Sequence, residues 1–289
     1  MTNQTTGRLY VVATPIGNLG DIGARAVEVL RACALIAAED TRHTGVLLKH
    51  LGVGTRQISL HDHNERARAP ELVARLREGA DIALVSDAGT PAISDPGFEL
   101  VRAAVAAGVP IVAIPGPCAA IAALSIGALP TDRFCFEGFL PARGAARRKR
   151  LDVLAREPRT VVLYESPHRI KDTLEDCAEV CGAERPAVIA REITKLHEQA
   201  YRGTLRDLAQ LAAVDDHIAR GEIVLLIAGL DAPDDETRDV AGAAEITLDR
   251  ALEILMAELP LKQAARLAAQ LTGSRDNEAY KRALHLKKE

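Results

Sequence analysis

Tryptophan is absent from the 289 residues, and phenylalanine and tyrosine number only four each. With so few rings, the chain is poorly equipped to build the stacking platforms on which single-strand RNA modules lay out bases. No uninterrupted apolar run approaches the roughly 20 residues that a membrane helix needs, and residues 1–8 lack the apolar centre of a signal peptide. A cytoplasmic protein is expected. The five cysteines, Cys33, Cys118, Cys135, Cys177 and Cys181, form no CxxC pair and no framework spacing. They read as reduced, mostly buried thiols. Also missing is the GxGxxG of a dinucleotide fold: Gly17-Asn18-Leu19-Gly20 does not match it, which disfavours an ordinary Rossmann site.

What is present is the composition of a soluble globular protein, 48% apolar and 26% charged, with a net charge of −4. Any contact with nucleic acid would therefore need a local basic patch. Set against about 100 to 200 residues per domain, the length implies two domains and a small appendage.

Strand and helix signals alternate. Residues 9–13 (LYVVA), 35–38, 82–85 (IALV) and 109–114 read as strands, and 24–34, 44–51, 70–78 and 97–107 as helices. This order predicts α/β architecture with a mainly parallel sheet. Three strands run into Gly- and Pro-rich loops: Thr14-Pro15-Ile16-Gly17-Asn18, SDAGTPAISDPG at 86–97, and Pro115-Gly116-Pro117-Cys118-Ala119-Ala120. Singly, such loops are most often only turns with special backbone angles. In a parallel sheet all three share the carboxyl edge, where ligands bind. The 86–97 loop carries Asp87 and Asp95 and no Lys or Arg, which suits a cationic or neutral ligand better than a phosphate.

A second α/β unit follows, with strands at 160–164, 187–190 and 223–228 and helices ending near 156 and at 170–180 and 205–211. We expect an N-terminal domain over 1–138, a second over 139–230, an acidic linker over 231–246 and a helical tail over 247–289. Six of the fifteen residues in 231–245 are acidic, as in an exposed linker. The tail reads as three helices arranged like a helix-turn-helix. Lys281, Arg282, Lys287 and Lys288 would contact nucleic acid, or else form the solvated face of a packing bundle.

Arg143, Arg147, Arg148, Lys149 and Arg150 place five cations within eight residues at the domain junction, either a solvated helix face or a phosphate track. His61-Asp62-His63-Asn64 offers two metal-ligand types but no third partner, so we expect an exposed loop or RNA contact and no metal site.

Taken together, VVATPIGNLGDI, AAEDTRHTGVLL, SDAGTPAISDPG, IPGPCAAIAALSIGALPTDRFCFEGFLP, YESPHRI and AREITKLHE resemble the bacterial small-subunit rRNA cytidine 2′-O-methyltransferases of the tetrapyrrole methylase superfamily. The resemblance spans residues 8–229 and extends to the tail. It implies a two-domain tetrapyrrole-methylase-like fold with S-adenosylmethionine in the cleft, a homodimer, and small-subunit rRNA as partner within the assembled subunit. It also implies cofactor contacts from Pro15, Asp87, Ala88, Gly89, Thr90, Ile93, Ser94, Cys118, Ala119, Tyr164, Glu165 and Ile193. Thr90 stands where the superfamily's GGDP motif has its acid, and Asp87 is the candidate to supply that carboxylate. The HDHN segment falls within the resemblance, which places Arg42, His61 and His63 beside the basic run as RNA contacts.

A sulfonium and an ammonium fit an anionic loop without bases. Methylation of a ribose hydroxyl also needs an aligned oxygen and a group that accepts or offsets its proton. Lys195, with Glu192 or Glu198 orienting it, is the candidate, and Glu39, Asp40 and Arg42 are further charged groups in the first domain. The rival readings are methylation of a tetrapyrrole intermediate and a nucleic-acid-binding regulator acting through the C-terminal helices.

Overall fold

In the computed structural model, which describes residues 6–230 and 247–286, β1 (Leu9–Val12), α1 (Ala24–Ala32), β2 (Leu35–Ala38), α2 (Thr41–His50), β3 (Gln57–Ser59), α3 (Glu65–Arg77), β4 (Ile82–Val85), α4 (Phe98–Ala106) and β5 (Ile111–Ile114) form the first layer set. Their strands pair in the order β3-β2-β4-β1-β5, all parallel. The central strands β2 and β4 are apolar and buried throughout because both faces are covered. Side chains alternate: Leu35, Ala37, Ile82 and Leu84 meet Leu72 and Leu76 of α3 and Leu100 of α4. Ile36, Ala38, Ala83 and Val85 turn the other way, onto Leu30 of α1 and Leu48 of α2.

α5 (Ala119–Gly127), β6 (Phe134–Phe139), α6 (Gly144–Leu154), β7 (Thr160–Glu165), α7 (Ile170–Cys181), β8 (Pro186–Arg191), β9 (Gln199–Thr204), α8 (Leu205–Val214) and β10 (Ile223–Ile227) complete the same compact unit. The second sheet runs β6-β7-β10-β8-β9, with only the β6–β7 pair parallel. Leu163, Ile189 and Leu225 pack under Leu151, Leu174 and Leu208 of the three helices α6, α7 and α8. The opposite face, Val162, Val188, Val224 and Leu226, is covered by Ala120, Ala123 and Leu124 of α5.

The helix that departs furthest from its sequence reading is α3, which begins at Glu65 and carries Pro70 inside it. Its start is set by one local and one tertiary contact. The His61 N–H donates to Asn64 Oδ1 at 2.9 Å, and the buried Glu65 carboxylate accepts the Leu100 N–H at 2.9 Å, tying α3 to the first turn of α4. α2 likewise starts three residues before the expected Thr44, where the Asp40 side chain caps it by accepting the Arg42 N–H. The elements β3, α5, β6 and β9 have no counterpart in the sequence reading.

α9 (Leu248–Glu258), α10 (Leu261–Thr272) and α11 (Asp276–Leu286) form a separate unit, a three-helix bundle closed on Ala251, Leu252, Ala265, Ala268, Ala269, Ala279 and Ala283. Alanines let the axes approach closely. Pro260 and Gly273 bracket α10, the glycine left-handed at φ 67°. Arg282 pairs with Asp249 at 2.7 Å, which ties α11 to α9, while Lys281 is exposed. The acidic stretch 231–246 and Lys287 and Lys288 lie outside the described residues.

The basic run on α6 is not a uniform cationic face. Arg147 is buried, its Nε 2.6 Å from Asp176 of α7, and Arg148 bonds the other oxygen of that carboxylate at 2.8 Å. Arg150 is held by Glu137. Arg147 is therefore corrected from phosphate contact to interhelical strut, because a buried, paired guanidinium cannot reach a phosphate. Arg143 and Lys149 are exposed and form no ion pair among the described residues. Truncating one member of a buried pair leaves the other uncompensated, so Arg147→Ala is expected to cost about 3 kcal/mol and Arg143→Ala under about 0.5 kcal/mol, read from urea unfolding midpoints.

Candidate active site

The loops at the carboxyl edge of the first sheet are stitched together by backbone. The Thr14 N–H donates to the Gly89 carbonyl at 2.9 Å and the Gly89 N–H returns to the Thr14 carbonyl at 3.1 Å. The Thr14 hydroxyl donates to the Ser86 carbonyl at 3.2 Å, and the Thr90 hydroxyl to the Pro117 carbonyl at 3.4 Å. Gly89 takes φ 78°, a left-handed angle that glycine adopts without strain. Ala92 at φ 68° and Ser94 at φ 62° adopt it as ordinary residues, at a cost of roughly 1 kcal/mol each. The 86–97 loop is thus a strained, tied structure.

Beneath it lies a cavity of about 370 Å³. Its first wall is built by Ile16, Ala88, Gly89, Thr90, Ile93, Ser94, Asp95, Cys118 and Ala119, and its second by residues of the mixed sheet, among them Phe139, Tyr164, Glu165, Ile193, Glu222 and Val224. The structure thus brings together ten of the residues expected at the cofactor, from Ala88 to Ile193. It leaves out two. Pro15 is buried behind its neighbour Ile16, and Asp87 turns away to accept the Asp40 N–H at 3.1 Å. The carboxylate that the 86–97 loop presents to the cavity is Asp95.

Among the described residues no Lys, Arg or His lines this cavity, whose ionisable groups are Asp95, Glu165, Glu222, Tyr164 and Cys118. Glu165 is fully engaged, accepting the Ser166 N–H and the Thr173 hydroxyl at 2.7 Å each, with Arg169 at 3.3 Å. Among the described residues Asp95 has no basic partner. Burial and the nearby Glu39 carboxylate push it up to about 6, against a bond from the Ser86 hydroxyl. Burial also raises Glu39, whose carboxylate accepts the Asp87 N–H at 3.2 Å. The Tyr164 hydroxyl accepts the Ala120 N–H at 3.3 Å at the start of α5, and burial pushes its pKa up to about 12. Phe136 and Phe139 pack edge-on against its ring.

At the rim stands a second constellation. Lys195 Nζ lies 2.9 Å from Glu192 Oε1 and 3.1 Å from Glu222 Oε2. Burial works against its charge, but the two carboxylates outweigh it and its pKa rises. Lys195 therefore keeps its proton, and the reading of it as a base is corrected. Its stem fills the space where a Cβ at Gly17, φ 149°, would sit, so glycine is required there. Glu198 does not orient Lys195; it accepts the Thr194 N–H at 2.5 Å, while the Thr194 hydroxyl bonds Asp21 across the cleft. Glu222 was missed. The pairing of β10 with β8 sets Ile223 opposite Arg191 and so brings Glu222 to Glu192, a registration that no local pattern announces.

The remaining charged candidates lie elsewhere. Arg42 is exposed and clasps Asp40, which holds that carboxyl well below the usual range. His61 is half-buried, with Nε2 3.2 Å from Asn64 Nδ2, and His63 is exposed. Among the described residues, no cluster of three or more His, Cys, Asp or Glu could hold a metal ion.

Comparison with known proteins accords with this geometry. The family model for Tetrapyrrole (Corrin/Porphyrin) Methylases matches residues 8–209, and that for the RsmI C-terminal HTH domain matches 240–287. The chain is 52% identical to Ribosomal RNA small subunit methyltransferase I of Pseudomonas aeruginosa, over 97% of this chain and 98% of that protein. It is 49% identical to the Haemophilus influenzae protein of the same name, over 98% and 99%. Among solved structures, the methyltransferase CobJ superposes with a TM-score of 0.58 at 22% identity, covering 78% of this chain and 95% of that one. Uroporphyrin-III C-methyl transferase from Thermus thermophilus, complexed with S-adenyl homocysteine, superposes with a TM-score of 0.55 at 18% identity, covering 77% and 97%. The chain belongs to the tetrapyrrole methylase family and, within it, to the ribosomal RNA small subunit methyltransferase I proteins.

Proposed function

We propose that this protein transfers the methyl group of S-adenosylmethionine to the ribose 2′-hydroxyl of a cytidine in small-subunit rRNA, in the assembled subunit, and works in the cytoplasm as a homodimer. The observation that carries the reading is the cavity itself: backbone-rich loops, apolar walls and a free carboxylate, without one basic side chain. At about 370 Å³ it has the size of a small-molecule site, and its charge suits a ligand bearing a sulfonium and an ammonium.

Ala88, Gly89 and Thr90 would hold the donor through backbone groups, Ile16, Ile93, Ala119 and Ile193 through apolar contact, and Tyr164 and Glu165 would close the far wall. When bound, S-adenosylmethionine supplies an electrophilic methyl group. Lys195, kept charged by Glu192 and Glu222, offsets negative charge that develops on the attacking oxygen. Arg143 at the N-cap of α6 and Lys149 on it, both exposed and without an ion pair among the described residues, lead rRNA phosphates toward the cleft. A tetrapyrrole substrate is disfavoured, since its carboxylates would find no Arg or Lys lining the cavity.

The direct test incubates the protein with labelled S-adenosylmethionine and small subunits from cells lacking the enzyme, then maps the label. We expect one labelled cytidine ribose; label in a tetrapyrrole alone, or no binding of the cofactor, would overturn the reading. Lys195→Ala is expected to lower kcat by about 100-fold while S-adenosylhomocysteine binds as before, and an enzyme with full turnover would remove Lys195 from the reaction. Replacing both Arg143 and Lys149 with Gln should reduce the salt dependence of subunit binding by about 0.7 to 0.9 per lost contact in a log–log plot.

A further inference from the structure

Most charged groups at the cavity are already engaged and cannot take the proton of the attacking hydroxyl. Lys195 is locked in its charged form by two carboxylates. Glu165 has its oxygens engaged by Thr173, Ser166 and Arg169. Glu222 is paired with Lys195, and its side chain is 71% exposed. Asp95 is different. It lines the cavity, is half-buried, and has no cationic partner among the described residues. Its loop is held by the left-handed Ala92 and Ser94 on either side of Ile93 and by the Thr14–Gly89 pair, so its position is fixed before any ligand arrives.

We propose that Asp95 is the general base of the reaction, the carboxylate that takes the ribose hydroxyl proton as its oxygen attacks the methyl carbon. The inference rests on the methyltransferase reading above and names a residue within that same cavity. In the step, the hydroxyl proton passes to Asp95 while an oxygen lone pair forms the new C–O bond. The C–S bond breaks, and its electron pair returns to sulfur. A sulfonium cation and a carboxylate anion thus become a neutral thioether and a neutral carboxylic acid, and Asp95 then releases its proton to solvent.

The surroundings of Asp95 tune it for this. Glu39 from the end of β2, Asp62 from the loop after β3 and Asp87 on its own loop all raise its proton affinity through their negative charge. Tyr164 of β7 faces it as a neutral phenol, and the nearby Ser86 hydroxyl favours the anion. Burial and the three carboxylates win, leaving Asp95 at about 6. Such a base is largely ionised at neutral pH yet far more basic than a surface aspartate, which is where general-base efficiency peaks. Activity should therefore be low when Asp95 is protonated and rise with pH as it ionises, at or below about 6, because the sulfonium of a bound donor favours the carboxylate.

The test is Asp95→Asn, a near-isostere that removes a charge disfavoured by burial and is therefore expected to melt no earlier than the parent at neutral pH. Single-turnover methylation of small subunits should fall by about 100-fold or more. S-Adenosylhomocysteine affinity by calorimetry should stay within about twofold, and the acidic limb of the pH profile should vanish. Glu39→Gln provides the second arm: with one negative neighbour gone, the Asp95 carboxyl, followed by 13C NMR in the protein without cofactor, should titrate at lower pH. The acidic limb of Glu39→Gln turnover should move down with it. Wild-type single-turnover rates in Asp95→Asn, or a loss explained wholly by weaker cofactor affinity, would overturn the inference. So would a titration of Asp95 that leaves the acidic limb unmoved. Parent protein assayed alongside keeps the two readings apart, since absence of label in its rRNA would sink the methyltransferase reading instead.

Discussion

The reciprocal pair of backbone hydrogen bonds between Thr14 and Gly89 is the constraint on which the site depends. Each bond contributes on the order of 1 kcal/mol, a small sum, but the two fix the β1 loop against the β4 loop where both leave the sheet. With the Thr14 hydroxyl on Ser86 and the Thr90 hydroxyl on Pro117, three loops become one wall. Left-handed angles at Ala92 and Ser94 can persist only in such an overdetermined setting. Removal of the pair would release the segment that carries Asp95.

The opposite wall depends on α5. This helix leaves the first sheet through the Pro115–Ala119 loop yet packs its alanines on the second, so that one sequence segment joins the two halves of the cavity. Gly127 lets it lie close, because a Cβ there would stand 2.6 Å from Leu226 Cδ1. At its other end the Ala120 N–H meets Tyr164. The packing that holds the sheets together thus also places a cavity residue.

Charge is distributed with the same economy. Carboxylates gather at the carboxyl edge of the first sheet, where burial and neighbouring negative charge raise the proton affinity of Glu39 and Asp95, while Lys195 stands at the rim. The division separates a site for a cationic ligand from a surface for an anionic one. Long-range repulsion between donor and wall is avoided, and the protein needs no basic surplus overall.

Much of this was legible in the primary structure. Strands β2 and β4 were read to the residue, because a parallel strand buried on both faces is a short apolar run with sharp ends, and the Gly- and Pro-rich loops marked the ligand edge. α5 was not legible: apolar all round, it has no polar face to reveal a helical period. β9 and Glu222 were hidden because antiparallel registration is a relation between distant segments. The choice of Asp95 over Asp87, the fate of Arg147 as a paired strut, and the protonated state of Lys195 were likewise settled by partners far away in sequence: Glu39, Asp176 and Glu222. Residue type and local pattern determine what a segment can form and which chemistry it can offer. Burial, charge and proton affinity belong to the company a side chain keeps, and only the tertiary structure decides that.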